Sequence, residues 1–313
     1  MRKVVSLSRG ILGLVLIAGM GGTALGVQAP AQPQYTREEA EAYNALYQAF
    51  QAGKFEEAVQ KGETFFEKYP NSVLAPRAKP MLLVAYVQTN RLEKAFALGR
   101  EVLSADPKNF GLLYVLALAA SAASKGRDTR FDADGLTYAT RALELAASGN
   151  APPGFSPELW EQQKGKVLGA LHQAVGLFLY NKAEYEPAIE HLKKSAELDP
   201  SDPVTFYLIG ESLKLGTYAK LRESYDKLTP EEKVAEAGKA LLQQVDAVVD
   251  QMIEMYARTV AISEANASLQ ALNQEARKLL ESFYRYRHND TTEGLEELIK
   301  KYKPSAQASA GSS

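Results

Sequence analysis

Apolar residues recur at helical spacing through most of this chain, and strand-type alternation is not sustained anywhere. Short polar turns such as AGK (52–54) and TNR (89–91) separate the apolar stretches. An apolar fraction of 46% and a charged fraction of 24% leave enough apolar surface to build a core without cofactors or disulfides. The pattern therefore predicts an all-α fold made of helices joined in pairs.

The chain also repeats itself. Three alanines each stand 12 residues before a proline, and the first two of these pairs are offset by 37 residues: Ala58–Pro70, Ala95–Pro107 and Ala188–Pro200. A small residue lets two helices approach closely, and a proline cannot continue the helix that precedes it. Because one helical hairpin cannot bury its apolar face alone, we expect successive hairpins to stack on one another.

This spacing resembles the tetratricopeptide repeat (TPR), a helix–turn–helix unit of ~34 residues. Counted from Gly169, the chain has Gly176 at position 8, Ala188 at position 20 and Pro200 at position 32, as in that repeat. The resemblance implies a right-handed α-solenoid of TPR hairpins. It covers roughly residues 38–228.

Other repeat units match less fully. The units that start at Glu39 and Pro76 keep the alanine and the proline but have leucine at position 8, so we expect the first pair of helices to lie farther apart. A degenerate unit covers 110–147. A fifth is predicted after Pro203, with Gly210 at position 8 and a second helix at 217–228.

The period changes near residue 231. Heptad stripes predict two long antiparallel helices, about 231–263 and 267–288, followed by a short helix at 294–302. These stripes either pack on each other and cap the solenoid, or one of them forms a coiled-coil homodimer interface. The basic and aromatic residues 277–278, 283–288 and 300–301 either pack on one side with solvated charge on the other, or bind phosphate, anionic lipid or an acidic protein.

The N-terminal residues have the order of a secretory signal: a basic start, an apolar run at 11–20 and small residues up to 26. We expect residues 1–26 to be a signal peptide, or alternatively an N-terminal membrane anchor. The predicted division is then a linker at 27–35, a repeat domain at 36–228, a C-terminal hairpin at 229–303 and a disordered tail at 304–313. The predicted location is periplasmic or secreted, or anchored in the inner membrane and facing the periplasm.

By the TPR resemblance, certain positions of each first helix line a concave groove that binds a partner polypeptide. Tyrosines in that groove are suited to peptide binding, although they also pack well against neighbouring helices. Tyr43 and Tyr47 stand where carboxylate-binding TPR domains have lysine and asparagine, so a carboxylate clamp is not expected. The candidate groove residues are Tyr43, Tyr47, Phe50, Gln173, Leu177, Tyr180, Tyr207, Glu211 and Lys214.

No residues are predicted to be catalytic or to bind a cofactor or a metal. The chain has no cysteine, and none of its three histidines, His172, His191 and His288, has a second histidine at metal-ligand spacing. A net charge of −2 argues against a nucleic-acid partner. The favoured hypothesis is a non-enzymatic scaffold of the cell envelope that binds a protein or peptide. The alternative is a membrane-anchored assembly factor that oligomerises through its C-terminal hairpin.

Overall fold

The computed structural model describes residues 35–147 and 149–304, and this part of the chain contains helices and no strand. The predicted leader, the linker up to residue 34 and the tail from residue 305 lie outside the described residues. In chain order the α-helices are α1 (Arg37–Gln51), α2 (Phe55–Lys68), α3 (Ala75–Gln88), α4 (Leu92–Ala105), α5 (Phe110–Lys125), α6 (Asp132–Ala146), α7 (Pro157–Asn181), α8 (Tyr185–Leu198), α9 (Pro203–Leu213), α10 (Ala219–Asp226), α11 (Pro230–Val234), α12 (Glu236–Ser263), α13 (Gln270–Arg287) and α14 (Leu295–Lys301).

Two compact units make up the chain, and the boundary between them falls after Lys164, inside α7. We call them the N-terminal unit and the C-terminal unit. Among the described helices, none is both long and apolar enough to cross a membrane.

The N-terminal unit is a stack of three hairpins, α1–α2, α3–α4 and α5–α6. Each helix contacts the next one in the chain within a hairpin and between hairpins, and α3 also contacts the first helices of both neighbouring hairpins, α1 and α5. Ala58 and Ala95 have no exposed surface. The predicted TPR-like hairpins are therefore confirmed in this unit.

Two glycines explain how these hairpins pack although leucine stands at position 8. Gly62 and Gly99 are 37 residues apart, on α2 and α4, and a Cβ at either would lie within 2.8 Å or 2.5 Å of a leucine of the following hairpin. Those leucines are Leu82 and Leu116, and both are buried. The close approach of helices thus occurs between successive hairpins, at these two glycines, which the repeat pattern did not predict.

Within the C-terminal unit, α7 and α8 form the hairpin with the fullest TPR match. A Cβ at Gly176 would lie 2.5 Å from Leu192 Cγ and 3.3 Å from the Ala188 carbonyl oxygen. Ala188 and Leu192 have no exposed surface. The small residue at position 8 therefore allows the contact with position 20 that the repeat pattern predicts.

The predicted fifth hairpin is wrong. Residues Pro203 to Asp226 form one continuous helical segment, in which a π-helical turn at Lys214–Tyr218 joins α9 to α10. Gly216 lies inside this turn, where a Cβ would be 2.9 Å from Tyr185 Cβ, so the glycine serves close packing rather than a chain reversal. The partner of α9 is α12, together with α8.

The C-terminal long-helix hairpin is confirmed. Helices α12 and α13 pack antiparallel, since Asn273 Nδ2 donates to the Val260 carbonyl at 2.9 Å and Arg287 pairs with Asp250 at 2.7 Å toward the other ends. Met252, in the middle of the heptad stripe of α12, has no exposed surface. The packing of the stripe inside the unit is the first of the two alternatives given above.

A recurring ion pair joins each well-matched repeat to the segment that follows it. The residue at position 18 of each of these repeats is a glutamate that pairs with a cation 34 to 37 residues later in the chain. These exposed pairs add little stability individually. They are Glu56–Arg91 at 2.8 Å, Glu93–Arg130 at 2.7 Å and Glu186–Lys220 at 2.7 Å.

Candidate functional site

The three groove candidates of the N-terminal unit lie along α1 and differ in exposure. Tyr43 and Phe50 are half-buried and make edge-on ring contacts with Phe65 and Phe55, at centroid distances of 6.4 Å and 6.0 Å. Tyr47 is 39% exposed. Tyr43 and Phe50 thus contribute to packing of the α1–α2 hairpin, and Tyr47 is the one with a free ring surface.

Gln173 and Leu177 are buried within the C-terminal unit. Leu177 packs in the core of the unit, and the Gln173 amide donates to Asp202 Oδ2 at 2.5 Å and to Thr205 Oγ1 at 2.7 Å. Asp202 is also the N-cap of α9, where it accepts from the Val204 backbone N–H. Gln173 therefore connects α7 to the start of α9.

The other four candidates come together with one residue that was not predicted. The carboxylate of Glu211 lies at their centre, and the residue is only 7% exposed. We call these five residues the Glu211 cluster: Tyr180 of α7, Tyr207 and Glu211 of α9, Lys214 of the π-helical turn and Tyr256 of α12.

Three hydrogen bonds hold the carboxylate of Glu211. The Tyr256 hydroxyl donates to Oε1 at 2.8 Å, and the Lys214 ammonium donates to Oε1 at 2.6 Å and to Oε2 at 2.8 Å. A buried carboxylate requires such partners, because removing one would leave a charge without compensation in the interior. The arrangement is an ion pair surrounded by tyrosine rings.

Tyr256 is the residue of this cluster that the sequence analysis missed. It has no exposed surface, and its ring stacks on Phe283 at 6.2 Å with an interplanar angle of 10°. A Cβ at Gly210 would lie 2.7 Å from Tyr256 Cε1, so the glycine at this point of α9 makes room for the ring. The signal available in the sequence was its position four residues after Met252, which places the two side chains on one face of α12.

The tyrosine hydroxyls of the cluster are held in their protonated form. Burial, followed by the charge of Glu211, raises the pKa of Tyr180, Tyr207 and Tyr256 above the ordinary value of 10.0. At neutral pH their hydroxyls can therefore donate hydrogen bonds, and that of Tyr256 donates to Glu211. Tyr180 and Tyr207 are half-buried and retain surface for a ligand.

The π-helical turn positions one edge of the cluster. Lys214 is its first residue and reaches back to Glu211 three positions earlier. Gly216 of the same turn packs on Tyr185, and the Tyr185 ring lies 5.9 Å from that of Tyr180. Single π-helical turns within α-helices occur frequently at functional sites.

A second polar feature lies between α7 and α8. His172 Nδ1 and His191 Nδ1 are 3.0 Å apart and share one proton in a hydrogen bond, although the two residues are isolated in the sequence. Burial, then the charge of His191, then that of Lys194, lowers the pKa of His172 to about 4. The pKa of His191 is also lowered, by burial first and then by Lys194. No group of three or more potential metal ligands occurs among the described residues.

The basic and aromatic stretch near the end of α13 is engaged within its own unit. Arg287 pairs with Asp250 at 2.7 Å and with Asp246 at 3.1 Å, while the Tyr284 hydroxyl donates to the Glu293 carbonyl at 2.7 Å. These contacts favour the packing interpretation of this stretch over a ligand-binding one.

A comparison with solved structures finds similar chains. A crystal structure of a thermophilic TPR protein from Thermus thermophilus is similar to this chain with 16% sequence identity and a TM-score of 0.39, over 76% of this chain and 98% of that one. No family model matches the sequence, and a search of curated proteins finds no match.

Proposed function

We propose that this protein is a non-enzymatic scaffold that binds a partner polypeptide, and that the Glu211 cluster is a principal contact point. The observation that carries the proposal is a buried carboxylate held by Tyr256, in the same cluster as the half-buried rings of Tyr180 and Tyr207. Stacked helical hairpins provide extended surfaces for such partners. Tyrosine is enriched at binding hot spots because its large ring contributes contact area at low entropy cost.

A paired comparison tests this site. The chain without residues 1–26, wild type or with Tyr180→Ala and Tyr207→Ala together, is used to capture partners from an extract of its own source. Tyr225→Ala is the matched control, because Tyr225 is also a half-buried tyrosine of the C-terminal unit but lies outside the cluster. We expect the partner to be retained by the wild type and the control and lost by the double variant.

Far-UV circular dichroism verifies that each variant keeps its helix content. If the double variant is folded and retains every partner that the wild type captures, the Glu211 cluster is not the binding site. A captured protein counts only when its retention depends on the two tyrosines.

The proposal includes a location outside the cytoplasm. It is supported by the order of charged, apolar and small residues in 1–26. N-terminal sequencing of the mature protein, combined with cell fractionation, tests it. A mature chain that begins near residue 27 in the soluble envelope fraction fits cleavage, an intact N-terminus in the membrane fraction fits an anchor, and an intact chain in the cytoplasm contradicts both.

A further inference from the structure

Lys214 occupies a position on Glu211 that suits an external cation. Its ammonium contacts both carboxylate oxygens, and its side chain is 24% exposed whereas that of Glu211 is 10% exposed. The carboxylate is thus fixed and inaccessible, while the cation that neutralises it lies at the solvent side. Lysine has a flexible stem and can leave such a position without disturbing the backbone.

The surroundings of the carboxylate add to this preference. The Tyr207 ring lies 6.3 Å from the ring of Tyr256, whose hydroxyl donates to the Glu211 carboxylate at 2.8 Å. A buried carboxylate binds ammonium and guanidinium groups through charge-assisted hydrogen bonds. The chemistry of the cluster is therefore complementary to a positive side chain.

The same geometry disfavours other ligands. A neutral or acidic side chain that displaced Lys214 would leave Glu211 with the Tyr256 hydroxyl as its remaining hydrogen-bond donor and with no compensating charge. Only a ligand that brings its own positive charge can replace the ammonium without that penalty. Selectivity thus follows from what the site rejects as well as from what it attracts.

On the basis of the proposed function, we infer that the partner segment presents a lysine or arginine side chain that replaces the Lys214 ammonium on the Glu211 carboxylate. Lys214 is then an internal substitute for the ligand. It keeps the buried carboxylate paired while the site is free and moves to solvent when the partner binds.

The test uses short glycine–serine peptides with one central Lys, Arg, Met or Glu, titrated into the tyrosine-labelled chain and followed by the NMR signals of the tyrosine rings. We expect the Lys and Arg peptides to shift the ring signals of the cluster in the wild type, and the Met and Glu peptides to have no effect. Raised salt should weaken the response, because it depends on charge. This comparison needs no variant of the protein.

Variants sharpen the test. Lys214→Gln keeps one donor but removes the competing charge, so affinity for the basic peptides should rise about tenfold if Lys214 occupies the site about nine-tenths of the time. Glu211→Gln should abolish the response to them. Lys220→Met is the control, since Lys220 belongs to an exposed ion pair of the same unit, and it should leave affinity unchanged.

The outcomes separate this inference from the proposed function. If Met or Glu peptides bind as well as the basic ones, or if folded Lys214→Gln binds basic peptides more weakly than the wild type, the inference is wrong while the partner site stands. If no peptide shifts the tyrosine signals and partner capture is also independent of Tyr180 and Tyr207, the proposed function at this site fails. Thermal unfolding monitors the fold of each variant.

Discussion

Gly176→Ala tests the helix contact on which the repeat interpretation depends. In a helix interior, alanine is favoured over glycine by about 1 kcal/mol, because glycine loses more backbone entropy on folding. At this position the new methyl group would lie 2.5 Å from Leu192 Cγ and 3.3 Å from the Ala188 carbonyl oxygen. Neither atom is the free end of a side chain, so α7 and α8 must move apart.

Overpacking of this kind costs about 1–3 kcal/mol, and here we expect the upper part of that range. After the gain in helix propensity, the net change should be a loss of roughly 1–2 kcal/mol in the free energy of unfolding. Urea unfolding followed by far-UV circular dichroism measures it as a lower midpoint at unchanged slope.

Gly165→Ala is the matched control, because Gly165 lies in the same helix and a Cβ there would meet nothing within 4 Å. This variant should be more stable than the wild type by up to ~1 kcal/mol. The two substitutions are chemically identical and should have opposite signs. If Gly176→Ala stabilises the protein as Gly165→Ala does, α7 and α8 do not touch at this position and the TPR-like packing of this hairpin is wrong.

Three further predictions concern the C-terminal unit. Burial lowers the pKa of His172 to about 4 from an unfolded value near 6.5, so stability should fall as pH decreases through that window, by roughly 1–2 kcal/mol once solvent screening of the half-buried ring is included. Urea titrations at several pH values should show a smaller loss for His172→Gln, and an equal loss would exclude this histidine as the cause. Gly210→Ala should lower the free energy of unfolding by about 1–3 kcal/mol and change the near-UV circular dichroism of the tyrosines, because its Cβ would lie 2.7 Å from the Tyr256 ring. A more stable protein with an unaltered spectrum would contradict the contact. Arg287→Met should lower the free energy of unfolding by at most about 1 kcal/mol at low salt, because its ion pairs with the two aspartates of α12 are partly exposed. Urea unfolding at high salt should show a smaller loss, and a salt-independent loss would mean that packing of the arginine stem dominates.

Local signals in the sequence were sufficient for most of the helices. The interval between Ala188 and Pro200 reports a contact and a helix end within one hairpin, so it can be read directly from the chain. The signal for the start of α11 is also local, since Thr229 and Glu232 form the capping box that their spacing predicts. Near the start of α1, Thr36 accepts from the Glu39 backbone N–H, while the Glu39 carboxylate accepts from the Ser72 hydroxyl.

Features that depend on distant residues were not predictable in this way. Glu211 and Tyr256 are 45 residues apart in the chain, and neither residue type alone indicates that they share a hydrogen bond. Gly216 suggested a turn because glycine is unfavourable in helices, but burial against Tyr185 outweighs that preference. Because of these tertiary contacts the segment stays helical through Gly216, and the predicted fifth hairpin does not form.

The π-helical turn at Lys214–Tyr218 makes the chemistry of this region sensitive to a change of one residue in length. A π-helical turn accommodates one residue more than an α-helical turn, so deletion of one residue there would restore a regular helix while the flanking residues keep their faces. Related chains that are one residue shorter in this stretch should therefore lack the local bulge that packs Gly216 on Tyr185. Insertion or deletion of a single codon would therefore be enough to add or remove the π-helical turn while the surrounding helices stay the same.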